Sequence, residues 1–184
     1  MKQIVLLLIT LMLFSCSSNS LKKEFNCKGN FELTTKEYHD VLKKFTIELP
    51  ETWKTQMYYD EYSSEIFSAD TTKALSESYI FDASWKQGEL NINDSFTKSL
   101  KDSLKLKEEL TTVRSGILEF NGKPGFWNLS KGTKMGHTYH YLQIFVKTGV
   151  DDYITSTTKV FGNENVDERL CESVTLFDNL NLIK

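Results

Sequence analysis

The chain has 184 residues, 22 of them basic and 25 acidic, for a formal net charge of −3. A mildly acidic chain whose only basic pairs are Lys22-Lys23 and Lys43-Lys44 is a poor partner for nucleic acid and for electrostatic adsorption to anionic lipid. Two prolines, 40% hydrophobic and 12% aromatic residues suit one packed α+β or β-rich domain rather than a disordered chain.

In chain order, Lys2 provides a short positive region. Ile4 to Phe14 is apolar except at Thr10, and Ser15 and Cys16 follow. This is the three-part layout of a secretory signal, with an apolar core too short for a stable membrane span. Leu13-Phe14-Ser15-Cys16 resembles the bacterial lipobox, and Phe14 departs from it at a site usually small or β-branched. The resemblance implies a signal peptide over residues 1–15 and diacylglyceryl attachment, with palmitate-type chains, at Cys16. Two or three acyl chains hold a protein on a membrane stably. Ser17 after Cys16 favours the outer membrane by resemblance to the sorting pattern of some Gram-negative bacteria, and the leaflet stays open. Ser17 to Lys23 reads as a mobile polar tether. The expected organisation is then a lipidated tether and lead over 16–37 and one domain over 38–184.

With Cys16 taken by lipid, Cys27 and Cys171 remain. In an oxidising envelope they are either a disulfide joining the lead to the C-terminal helix, or two separate thiols. Nothing in the sequence brings them within bridging distance, so both readings stand.

Phe45-Thr46-Ile47-Glu48-Leu49 alternates as a half-buried strand. It stops at Pro50, and a second strand begins at Trp53. Tyr58, Tyr59 and Tyr62 surround an acidic turn at Asp60-Glu61, and Glu65 to Ser68 reads as a short strand. Tyr79, Phe81, Ala83 and Trp85, spaced two apart, predict a strand with one strongly apolar face. Asn93 or Asp94 caps a helix whose stripe runs through Phe96, Leu100 and Leu104. Thr111 to Phe120 and Gly125 to Leu129 flank the turn signal Asn121-Gly122. His137 to Lys147 is apolar on both faces, which predicts an interior strand. Tyr153 to Phe161 is β-branched, and Val166, Leu170, Val174 and Phe177 space as one face of a closing helix. Strands joined by short turns, with two helices, give α+β: a mainly antiparallel sheet flanked by helices.

Phe45-Thr46-Ile47-Glu48-Leu49-Pro50-Glu51-Thr52-Trp53 resembles the "F-x-hydrophobic-x-hydrophobic-P-x-x-W" start of the PsbP-like superfamily. That group includes the extrinsic photosystem protein, a nuclear Ran-binding factor and DcrB-type bacterial lipoproteins. The mid-chain helix, the Asn121–Gly125 hairpin, the strands at Tyr141–Val146 and Tyr153–Thr157 and the Cys171–Val174 helix keep the same order. The resemblance spans roughly residues 38–180. It implies a sheet with helices on its faces, a binding or assembly role, and no shared catalytic residues.

No nucleophile elbow, phosphate loop or zinc-protease motif is present. His137 and His140 form H-x-x-H, but residues i and i+3 of a strand point to opposite faces, which makes a poor chelate. Asp60, Glu61 and Glu65 lack calcium-loop spacing. Tyr58, Tyr59 and Tyr62, with Phe126 and Trp127, are the candidate contact surface; aromatics also fill ordinary cores, and that is the reading for at least half of them. The expectation is therefore a lipid-anchored envelope protein that is not an enzyme, uses no cofactor, and binds or supports another envelope protein. The alternative is a carrier of a small ligand or metal.

Overall fold

The computed structural model describes residues 20–28 and 34–183. The signal-like residues 1–15, the lipid-attachment candidate Cys16 and tether residues 17–19 lie outside the described residues, as do 29–33 and 184.

Among the described residues, ten strands and three helices form an α+β fold. A seven-stranded antiparallel sheet has the order β3–β4–β5–β9–β8–β7–β6, and a three-stranded one the order β1–β2–β10. In the large sheet, β3 (Lys54–Tyr59), β4 (Ser63–Ala69) and β5 (Tyr79–Gln87) run as a meander. β6 (Thr111–Phe120), β7 (Lys123–Lys134), β8 (His137–Lys147) and β9 (Asp152–Phe161) form a second meander, and β9 joins the two by pairing with β5. The small sheet holds β1 (Thr35–His39), β2 (Phe45–Pro50) and β10 (Asn181–Leu182).

Alternation along each strand creates two faces. One carries Phe81, Ala83, Ile144, Leu142, Trp127 and Ile66, all buried. The small sheet covers it through Phe45, Ile47 and Leu49. Helix α3 (Val166–Asp178) covers it through Leu170, Val174 and Phe177. This is the main core. Gly116 lets Trp127 lie across β6, because a Cβ there would stand 2.9 Å from the indole nitrogen. The second face is covered in part by α2 (Asp94–Lys107). The Asn93 side chain caps α2 by accepting the Phe96 N–H at 2.9 Å. Phe96 meets Phe126 and Phe145 edge-on, and Leu104 joins Tyr139 and Phe161 in a smaller cluster. β8 lies between β7 and β9, and this interior place is why both its faces are apolar.

The tether reading needs one correction. Leu21–Glu24 forms a helical turn, α1, with Leu21 and Phe25 buried in the main core. Lys22 pairs with Asp178 at 3.1 Å. Two large apolar side chains four residues apart outweigh the polar residues around them once a core is available to receive them. Ordered structure thus begins ahead of residue 38, and β1 adds a strand that pairs with β2 from Thr35 to His39.

Candidate functional site

The β3–β4 hairpin stands at the margin of the large sheet. β4 is anchored: Ile66 is fully buried, and Ser64 and Ser68 are buried beside it. β3 follows β4 in strict antiparallel register from Lys54↔Ala69 to Tyr59↔Ser64. The hydroxyls of Thr55 and Ser68 bond across the pair at 2.9 Å. Asp60 sets the turn by accepting the Tyr62 N–H at 2.8 Å and the Ser63 hydroxyl at 3.0 Å. Those bonds, the one from the Tyr62 N–H first, hold its carboxyl below the ordinary value.

On this frame the three tyrosines project into solvent: Tyr58 is 54% exposed, Tyr59 64% and Tyr62 58%, with Met57 at 38%. Tyr58 donates to Gln56 Oε1 at 2.9 Å, a contact local to the strand. Tyrosine presents a large, stiff, amphipathic surface with few torsions to freeze. Among the described residues β3 is also an edge strand, and the outer N–H and C=O groups of such a strand can pair with a strand of another chain. Tyr58 and Tyr59, neighbours on β3, project to opposite faces of the hairpin, so the aromatic groups flank a rigid edge beside Asp60 and Glu61 that is chemically equipped for protein docking.

The other predicted residues are dispersed. Phe126 and Trp127 are each 3% exposed and point to opposite faces of β7, Phe126 against Phe96 and Trp127 against Phe25. Trp127 belongs to the main core and Phe126 packs under Phe96 on the second face, so these two take the core alternative and not the tyrosine surface. His137 is exposed on one face of β8, and His140, on the other, is 9% exposed. Burial lowers the His140 pKa, and the charges of Lys131 and Arg169 add to the effect. Among the described residues no cluster of three His, Cys, Asp or Glu side chains is placed to hold a metal ion. Cys27 and Cys171 are joined as a disulfide, with Cα atoms 5.4 Å apart. Cys16 lies outside the described residues.

One pair escaped the sequence reading. Asp82 on β5 and Glu65 on β4 share the second face as diagonal neighbours in the β4–β5 register. Burial of Asp82, reinforced by Glu65 and opposed by Lys159 and Lys86, pushes its pKa up to about 8. The available signal was an acid between Ile80 and Ser84, on the face of the strand opposite Tyr79, Phe81, Ala83 and Trp85.

No protein-family model matches the chain, and comparison with curated proteins gives no significant match. Solved structures do match. The cyanobacterial PsbP protein (CyanoP) of Synechocystis sp. PCC 6803 superposes with a TM-score of 0.63 at 9% identity, over 85% of this chain and 97% of that one. The Ran-binding protein Mog1p of Saccharomyces cerevisiae gives 0.55 at 7% identity, over 83% and 97%. LpqN of Mycobacterium tuberculosis, involved in cell envelope biogenesis, gives 0.51 at 9% identity, over 91% and 99%. At these identities the likeness establishes architecture: the chain has the PsbP-like fold. No helix among the described residues is long and apolar enough to cross a membrane.

Proposed function

We propose that this PsbP-like chain is a non-catalytic lipoprotein of the bacterial cell envelope. It is tethered through Cys16 and docks another envelope protein on its β3–β4 hairpin. The observation that carries the reading is the hairpin itself, with Tyr58 and Tyr59 on a register-locked edge strand and Tyr62 in its turn, all more than half exposed. The lipobox-like Leu13–Cys16 supports the tether, and the likeness to LpqN supports the compartment by analogy of fold. The fold supplies rigidity, and the tether keeps the domain near its partner at raised local concentration.

Affinity capture from crosslinked cells tests this with the full chain, a Cys16→Ala form and a Tyr58→Ser/Tyr59→Ser/Tyr62→Ser form. Recovery of a specific envelope protein is expected to fall about tenfold or more in the tyrosine variant, as for loss of interface anchors. The Cys16→Ala form is expected to leave the membrane fraction. Equal recovery with wild type and tyrosine variant would refute the docking surface. Retention of Cys16→Ala on the membrane would refute the lipid tether.

A further inference from the structure

A groove of about 800 Å³ opens on the main-core face of the large sheet. It lies between the ends of β6–β8, the start of α3 and the chain at Phe25–Lys28. Three cationic or titratable side chains reach it from adjacent strands. Lys131 on β7 stands directly opposite His140 on β8. Arg114 on β6 is opposite Leu129, one step along the same face. Lys28 enters from the N-terminal lead.

Arg114 is held in place. Its guanidinium lies 4.8 Å from the Phe25 ring centre and donates to the Glu24 carbonyl at 3.0 Å. Among the described residues, none of the ion pairs involves Lys28, Arg114 or Lys131. Helix α3 also begins here. Asn165 at its N-cap adopts a left-handed backbone (φ 49°) and its side chain bonds no helix N–H, so the positive end of a 13-residue helix is left without a side-chain cap. Asp167 and Glu168 in the first turn offset part of this charge. His140, nine-tenths buried, has no partner for its Nδ1 among the described residues. The floor beneath these groups is apolar, formed by Phe25, Leu129 and Leu170.

Lys131, Arg114 and Lys28 concentrate positive charge beside His140, whose pKa burial lowers, and Asp167 and Glu168 offset only part of it. Such an arrangement costs stability unless an anion offsets it. We propose that this groove binds an oxyanion, a phosphate or carboxylate group, between Arg114, Lys131, Lys28 and the start of α3. The imidazole of His140 senses its arrival. The anion is either a small free species or the headgroup of an amphiphile whose apolar part rests on Phe25 and Leu129.

The test is an NMR titration of the His140 imidazole in the full-length protein, held in the neutral detergent dodecyl maltoside. The probes are inorganic phosphate, dihexanoyl phosphatidic acid and the neutral dihexanoylglycerol. Phosphate and phosphatidic acid are each expected to raise the His140 pKa by about one unit, as an anion within a few ångströms does, while His39 and His137 stay unchanged. The neutral lipid is expected to leave it in place. Lys131→Gln, at an exposed position that leaves the core intact, is expected to weaken binding about tenfold, the loss of one charge-assisted bond. Phosphatidic acid binding about tenfold tighter than phosphate assigns a lipid headgroup, and equal affinities assign a free anion. Absence of any His140 shift at about 10 mM of either probe, or binding unaffected by Lys131→Gln, overturns the proposal.

Discussion

Replacing Cys27 and Cys171 together by serine is expected to lower the unfolding free energy by about 4–5 kcal/mol in the chain-entropy account of a crosslink this long. The bond closes a loop with a sequence separation of 144, and closure entropy rises with the logarithm of loop length. It also pins the short N-terminal lead to α3, where Leu21 and Phe25 enter the core and Lys22 pairs with Asp178. In a lipid-tethered protein, any pull from the membrane reaches the domain through this lead. The disulfide places its anchor point on a core helix rather than on a frayed end. Urea unfolding of the double-serine protein and wild type checks the figure, and limited proteolysis checks the lead, with new cleavage expected near Phe25. A change below about 1 kcal/mol, with no new cleavage, would show that core packing alone holds the lead.

Asp82→Asn is expected to stabilise the protein near pH 8, by about 2 kcal/mol after allowance for relaxation and water penetration. The sign follows from burial beside Glu65, which pushes the native Asp82 carboxyl up to about 8, whereas the unfolded chain ionises near 4. The protonated form therefore contributes stability that is complete below the ordinary carboxylate range. That stability is lost as pH rises through about 8. The groups facing Asp82 are Glu65 from β4, Lys159 from β9, Lys86 from its own strand and Tyr141 from β8. An asparagine keeps the shape of the acid and carries no charge at any pH in this range. Thermal unfolding from pH 4 to 9 should show wild type declining across the window and the asparagine form flatter. Parallel curves would mean that Asp82 ionises freely in the native state.

Local patterns made much of this fold readable. The Asn93 cap, the two-faced apolar run of β8 and the turn at Asn121-Gly122 each depend on residues close in sequence, and each lies where the periodicity puts it. The PsbP-like order of elements was readable for the same reason. What sequence concealed depends on register between distant strands. Asp82 and Glu65 meet only because β4 pairs with β5 at Phe67↔Asp82 and Glu65↔Ser84. Arg114, Lys131 and His140 come from three strands and look unrelated until the meander aligns them. Phe126 and Trp127 are sequence neighbours, and for that reason they face apart. Leu21 was hidden in a polar run because its helical turn packs against α3, at the far end of the chain. The tyrosines at 58, 59 and 62 were visible as a cluster, but only the edge position of β3 separates them from core aromatics.

The most direct test of the central claim is site-specific photocrosslinking in living cells, with a photoreactive phenylalanine analogue at Tyr59 and, as control, at Leu106. Leu106 is 81% exposed on α2, away from the hairpin. The docking account predicts a discrete adduct with one envelope protein from Tyr59 and none from Leu106. Adducts of equal yield from both positions, or none from Tyr59 while the protein is membrane-bound, would contradict it.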